Sequence, residues 1–594
     1  MMGAHPEVRN GVGGFVFRTW APNTKRVCLA GGFNGWSDEN PMEKVTEQGL
    51  WELFLPGLSE FDEYKFYIDD GFGNMFFRAD PYGYHSELRP GTASKLFHLD
   101  KYKWKDKKWL SERGKQLPYS RPMNVYEVHF GSWKRYSDGN YFDYQKMAEE
   151  LIPYVKDMGY THIELMPMSE YPFEGSWGYQ VTGYYAATAR YGTPDGLMAF
   201  IDKCHVRGIG VILDWVPGHF PKDEAGLRLF DGGCCYEYDD NLKNEHKGWG
   251  TMIFDWGRNE VRSFLISNAV FWFDKFHIDG LRVDAVASML YLDYGREDGR
   301  WRKNVHGGNE NLEALAFFAD LNKAIFEKYP FALMIAEEST SWPQVTKPTY
   351  LGGLGFNFKW NMGWMNDSLE YIKCDPYFKS YVHNKLTFAL TYFTSENFIL
   401  PLSHDEVVHM KGSLIGKMPG SYEEKFANLK AYLAFMMMHP GKKLLFMGGE
   451  LAQFAEWDFS KELDWGLLEY PAHRQFHLFI KELNMFYKEH SELWERDYSW
   501  DGFEWLDPDD RDRNVLTFKR INDAGDELIV ITNFAGMAHE GYDIKLDKAE
   551  KYKLLFSSAD VKYGGGGHIS PVIENAVAVI PDRCTSIWKK IQEV

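Results

Sequence analysis

The sequence predicts a multidomain α/β protein: a central (β/α)8 TIM barrel flanked by N-terminal and C-terminal β-sandwich domains. Three observations carry that reading. Strand-like and helix-like segments alternate from about residue 122 to about residue 490, the pattern of a parallel sheet wound with helices. On both flanks, short runs of strand-favouring residues are separated by Gly, Pro, Asn and Asp clusters. Finally, four apolar runs stop abruptly at an acid: Gly210–Asp214, Gly280–Asp284, Ala332–Glu337 and Phe398–Asp405. Near-continuous apolar runs are the strands of a buried parallel sheet. In a closed barrel their C-terminal ends face the site.

The elements follow in order. Phe15–Trp20, Arg26–Ala30, Gly49–Leu55 and Glu63–Ile68 read as strands of a small sandwich, and the Lys-rich stretch from Lys101 to Lys115, ending near Pro118, reads as a linker. Asn124–Phe130 then reads as the first barrel strand. Asp143–Met158 is a helix, with Met147, Leu151, Ile152 and Val155 at helical spacing. Thr161–Leu165 is the next strand, and Ala199–Arg207 is a helix leading to the strand that ends at Asp214. Helices Asn259–Phe276 and Leu312–Tyr329 feed the strands ending at Asp284 and Glu337, and Lys442–Met447 is the last strand. Strands near Gly355 carry no clear pattern. Val515–Arg520, Glu527–Thr532 and Ala576–Ile580 form the closing antiparallel sandwich, and Gly564–Gly567 reads as a loop. Domains are expected at residues 1–116, 117–490 and 491–594, with an excursion after the third barrel strand at about 216–255.

Composition narrows the class. A chain of 594 residues is expected to hold roughly two to four domains. Lys+Arg 66 against Asp+Glu 85 gives a net charge of -19, which disfavours nucleic acid as a partner and otherwise serves solubility. Met1–Gly14 lacks the apolar core of a signal peptide, and the apolar run ending at Met438 is broken by His439-Pro440, so no membrane association is expected. Six scattered cysteines, two of them adjacent at Cys234 and Cys235, fit neither a disulfide framework nor a CxxC metal site. A reduced, cytoplasmic, monomeric enzyme is the expectation. Aromatic residues reach 17%, with 21 Trp; most belong to cores, and flat rings also match the apolar faces of sugars.

Side chains two apart on a strand share a face, so Arg282 and Asp284 project together while Leu281 and Val283 pack behind. A neighbouring arginine favours the ionised carboxylate that a nucleophile needs. A retaining glycosidase also needs a second, protonated carboxyl about 5 Å away. Glu337 is the candidate, with Glu338 expected to point elsewhere by alternation. Asp405 beside His404 is placed to stabilise an oxocarbenium-like state, and Asp214 with His219 to anchor the site from a fourth strand. A single such acid is more often a helix cap or a surface ion pair. Four at comparable strand ends point to a site.

The four segments Asp214–His219, Gly280–Asp284, Ala336–Ser339 and Ser403–Glu406 resemble, in order, the short motifs of the α-amylase superfamily. More narrowly, Val125–Trp133, Ser176–Gln180, Val283–Met289 and His404–His409 resemble the 1,4-α-glucan (glycogen) branching enzymes, and the likeness runs along nearly the whole chain. The resemblance implies that Asp284 is the nucleophile, Glu337 the acid/base and Asp405 the transition-state stabiliser. It implies that Tyr179 stacks on the sugar at the cleavage point and that His219, Arg282 and His404 hydrogen-bond it. The substrate it implies is an α-1,4-glucan (amylose, amylopectin or glycogen), with no diffusible cofactor. Some amylases hold calcium near the excursion; here Asp231, Asp239 and Asp240 lack ligand-like regularity and read as solvated loop acids, with no metal expected. Gly31–Trp36 and Tyr64–Phe66 are similar to glycogen-binding modules, with Trp36 and Lys65 at sugar-contacting positions. A later tryptophan of the binding members has no counterpart, Gly71–Phe76 standing in its place, so the module either binds glucan or packs on the barrel. Branching transferase is the implied activity. An α-amylase-type or debranching hydrolase is the alternative, since water or a sugar hydroxyl can open the same intermediate, and a silent glucan-binding scaffold has no need of the three acids.

Overall fold

The computed structural model describes residues 1–297 and 299–591. Eight parallel strands close the central barrel: Asn124–Val128, His162–Leu165, Gly210–Trp215, Gly280–Val283, Leu333–Ala336, Phe358–Trp360, Phe398–Leu402 and Lys442–Phe446. Asn124 pairs with Lys443 and so joins the first strand to the last. The four acid-ending runs supply the third, fourth, fifth and seventh strands, and every residue in those four strands is buried. Burial on both faces explains why they read as unbroken apolar runs. Val125, Ile212, Ile335, Trp360, Ile399 and Leu444 pack together in one cluster inside the barrel. Strand alternation then carries Glu127 with Val125, Asp214 with Ile212 and Glu337 with Ile335 to the same side.

Helix Tyr144–Asp157 buries Met147, Leu151, Ile152 and Val155, as their spacing predicts, and helix Asn259–Phe276 spans the expected residues. Three departures from the expected elements bear on the barrel. The first strand stops at Val128, and Phe130–Trp133 makes a short helical turn. The helix expected from Ala199 begins earlier, at Pro194, where proline suits the first helical position. The sixth strand, illegible near Gly355, is Phe358–Trp360 and carries the buried Lys359 in its middle.

The N-terminal sandwich sets Gly3–Arg9, Val12–Trp20, Leu50–Pro56 and Glu43–Lys44 in one sheet, and Arg26–Gly31, Glu63–Asp69 and their neighbours in another. Its first strand was not expected. It is joined to the second through Asn10-Gly11, both at positive φ (51° and 80°), as a two-residue hairpin turn requires. The stretch taken as a linker is instead docked structure. Helix Lys107–Arg113 lies against the barrel, with the Trp109 indole N–H and the Arg113 guanidinium donating to Asp279 at 2.8 and 2.7 Å. The excursion also departs from expectation. Asp231 is fully buried rather than solvated and accepts from the backbone N–H of Asn23 at 2.6 Å, bridging the excursion to the N-terminal sandwich. Asp240 pairs with Arg302 at 2.6 Å.

The C-terminal domain is all-β. A six-stranded sheet runs Phe503–Asp510, Val515–Ile521, Glu527–Asn533, Cys584–Lys590, Tyr552–Ser557, Val572–Ile573, and a two-stranded sheet pairs His539–Asp543 with Val577–Ile580. Buried ionic contacts lock it to the barrel floor. Lys442, the first residue of the eighth strand, donates to Asp497 at 2.9 Å, and Arg520 donates to the other oxygen of Asp497 at 2.9 Å. All six cysteines are free.

Candidate active site

The site is assembled around one guanidinium. Arg282, 1% exposed, leaves the fourth strand with its charge 4.5 Å over the ring of Trp360. Its Nη1 donates to Asp214 at 2.8 and 3.0 Å and to Asp284 at 2.7 Å. Its Nη2 lies 3.7 Å from Glu337. The Tyr179 hydroxyl donates to Asp214 at 2.5 Å and lies 3.3 Å from Nε2 of His404, whose ring it faces at 5.6 Å. His404 Nε2 is 3.6 Å from Asp405, and His219 Nε2 is 3.9 Å from Asp284. The eight residues expected from five separate stretches of chain therefore meet at the C-terminal end of the barrel. Trp36 and Lys65 belong to the N-terminal sandwich, where the Lys65 ammonium sits 5.9 Å from the Trp36 ring centre and donates to Thr92 at 2.5 Å.

Backbone strain fixes the two central acids relative to each other. Ala285 has φ 49° and ψ 41°, left-handed values unusual for a residue with a Cβ. That twist directs its N–H to Glu337 Oε2 at 2.6 Å. Glu338 turns away, its carboxylate taken by Lys359 at 2.6 Å.

Burial and like charge divide the protonation states. Burial pushes Glu337 up to about 8; Arg282 opposes this, while Asp284 and Asp405 add to it, so the carboxyl carries its proton at neutral pH. Asp284 is also raised, because burial outweighs the pull of Arg282; the arginine moderates its environment rather than dominating it, contrary to the simple expectation from the Arg-Val-Asp spacing. Asp405 is lowered: burial works against ionisation, but His404 and Arg282 together prevail. His404 itself is raised to about 10, since Glu127 and Asp405 overcome the cost of burying an imidazolium. His219 is pushed down to about 4 by burial and is neutral. A protonated acid beside a carboxylate, both near one cation, is the arrangement for acid-assisted nucleophilic displacement at an acetal carbon.

Sequence reasoning missed several contributors. Glu127, fully buried on the first strand, accepts from His404 Nδ1 at 2.5 Å and from its backbone N–H at 3.0 Å. Alternation from Val125 would have found it. Glu164 on the second strand is 1% exposed with both oxygens unpartnered among the described residues, and burial together with Glu127 and Asp214 pushes it well up. Trp177, at φ 55°, stacks on His409 at 5.2 Å next to His404. Among the described residues, no group of three or more His, Cys, Asp or Glu is disposed to hold a metal ion, and no helix is long and apolar enough to cross a membrane.

Three family models match along the chain: carbohydrate-binding module 48 (isoamylase N-terminal domain) over residues 1–83, the alpha amylase catalytic domain over 131–228 and 250–514, and the alpha amylase C-terminal all-beta domain over 505–590. The chain is 53% identical over 574 residues to the 1,4-alpha-glucan branching enzyme GlgB of Halothermothrix orenii, covering 96% of this chain and 91% of that one. It is also 53% identical over 569 residues to the enzyme of the same name from Gloeobacter violaceus, covering 95% and 78%. A solved structure from Salmonella typhimurium assigned to the alpha amylases superposes with a TM-score of 0.72 at 19% identity, over 100% of this chain and 99% of that one, a likeness of fold. With half its residues shared end to end, and with the acids, arginine and histidines of its motifs gathered at one barrel mouth, the chain belongs to the 1,4-alpha-glucan branching enzyme family of the α-amylase superfamily.

Proposed function

We propose that the protein is a 1,4-α-glucan branching transferase working by double displacement with retention. The observation that carries the chemistry is the protonated Glu337 beside Asp284 on a shared arginine. Asp284 attacks the anomeric carbon of a glucosyl unit while Glu337 gives its proton to the departing O4, leaving the donor chain as an ester on Asp284. Glu337, now a carboxylate, takes the proton from the 6-hydroxyl of a second glucan. The new C1–O6 bond forms as the C1–Oδ bond breaks, and Asp284 is regenerated. Asp405, His404, Tyr179, Asp214, His219 and Arg282 hold the sugar and its developing positive charge. Identity to the branching enzymes supports transfer to sugar over transfer to water.

The substrates are α-1,4-glucans. The N-terminal module contributes a glucan contact at Trp36 and Lys65, the domains divide at 1–116, 117–490 and 491–594, and the protein acts in the cytoplasm as a monomer without a cofactor. Incubation with amylose tests the activity when iodine colour, reducing ends and α-1,6 linkages are followed together. Branching lowers the colour and creates α-1,6 bonds with few new reducing ends. Abundant reducing ends without α-1,6 bonds would make the protein a hydrolase.

A further inference from the structure

Beside the acids, on the excursion and on the loop after the fourth strand, a wall of rings lines a cavity of about 170 Å³. The Trp249 ring lies 5.2 Å from His219, 4.5 Å from His246 and 6.1 Å from Tyr294. His219 in turn reaches Asp284, so the wall is continuous with the reacting centre. Trp249 is 42% exposed, unusual for a tryptophan held by three other rings. Burial drives His246 down to about 3 and leaves its ring neutral, while its Nε2 is buried without a partner among the described residues. Arg296, hydrogen-bonded to the carbonyl of Glu245 at 3.1 Å, supplies a cation at the rim of the same cavity.

The position of the wall has a chemical meaning. In a double displacement, the acid/base sits over the leaving chain and afterwards over the incoming one. Tyr294 is raised by burial, and among the charges that add to this Glu337 acts more strongly than Asp284. The wall joins the reacting centre through His219, which lies 5.2 Å from the Trp249 ring and 3.9 Å from Asp284. We propose that Trp249, backed by His246 and Tyr294, is the platform that holds the acceptor glucan, so that its 6-hydroxyl rather than water reaches the ester on Asp284. The ligand class is a segment of α-1,4-glucan, its apolar sugar face on the indole and its hydroxyls toward Arg296. The atoms balance as in the second displacement: the acceptor proton passes to Glu337, C1–O6 forms, and C1–Oδ breaks. An immobilised acceptor raises the effective concentration of the hydroxyl at the ester, and this is how a transferase outcompetes abundant water.

This inference rests on the branching reading, and one experiment separates their failures. Amylose is incubated with the full-length protein and with Trp249→Ala and Trp249→Phe, and the ratio of α-1,6 bonds formed to reducing ends released is measured across amylose concentrations. In Trp249→Ala the ratio is expected to fall about tenfold, the loss of one stacking contact; high amylose restores part of it, and Trp249→Phe restores most. A ratio unchanged in Trp249→Ala overturns the acceptor platform, whether or not the total rate falls, because a merely structural role slows cleavage and transfer alike. Absence of α-1,6 bonds with the unsubstituted protein would overturn the branching reading itself.

Discussion

The two ends of the barrel both bury charge, and they use it in opposite ways. At the N-terminal end the buried acids Asp279 and Asp497 each have cationic partners. Asp279 accepts four hydrogen bonds, from Trp109, Arg113, His205 and the Val211 backbone. Asp497 lies between Lys442 and Arg520, and although burial raises it, the cations hold it down to about 2. At the C-terminal end Asp214, Asp284 and Glu337 share a single arginine, and Glu337 keeps its proton to about 8. Buried charge alone therefore does not mark a catalytic site. Carboxylates in excess of their cations do.

Substitutions can break this contrast at either end. The largest effect is expected from Glu337→Gln or Asp284→Asn, each lowering kcat/KM by roughly 10³-fold or more with the thermal midpoint retained. A variant within a few-fold of normal activity would remove that acid from the chemistry. Next comes Asp497→Ala, which strands Lys442 and Arg520 in the core and is expected to cost about 3–5 kcal/mol of stability. Urea titration reads the loss, and the activity of the remaining folded protein should stay near normal; a stable variant would make the barrel floor dispensable.

A pH profile sharpens the same comparison. If Glu337 is the general acid proposed above, kcat/KM should hold up to about pH 8 and then fall near tenfold per unit as that proton is lost. A profile already falling at pH 6 would mean that the excess of carboxylates does not hold the proton. The smallest effect is expected away from both ends, at Trp36, which is 37% exposed under the Lys65 ammonium. Trp36→Ala should weaken retardation in amylose gels about threefold, in line with one exposed cation–aromatic face. Unchanged retardation would assign the ring to packing in the sandwich.

The site was legible because the fourth and fifth barrel strands are apolar apart from Arg282, so the acid that follows each stands out. Asp284 and Glu337 follow directly on four-residue strands whose every side chain is buried. Other features lacked such contrast. Gly3–Arg9 buries only its first two residues, so apolar alternation was weak, although Asn10-Gly11 announced the hairpin. The sixth strand is three residues long with a lysine at its centre, and only the structure reveals Glu338 as its partner. The segment from Lys101 to Lys115 looked like a linker because charged residues dominate it, yet two of its side chains, Trp109 and Arg113, anchor it to a buried acid. Trp249 was invisible for a different reason: its neighbours His219, His246 and Tyr294 come together only when two separate loops fold over the barrel mouth.

The closeness of Asp284 and Glu337 is electrical as well as spatial. The negative charge on Asp284 is one reason that Glu337 retains its proton. A sugar ester at Asp284 is uncharged, so making it withdraws that reason and leaves Glu337 facing Arg282 with one fewer rival anion. On the proposed mechanism, the proton donor of the first half-reaction thereby relaxes into the proton acceptor of the second. On that mechanism the ester itself would reset the acid/base for the second step.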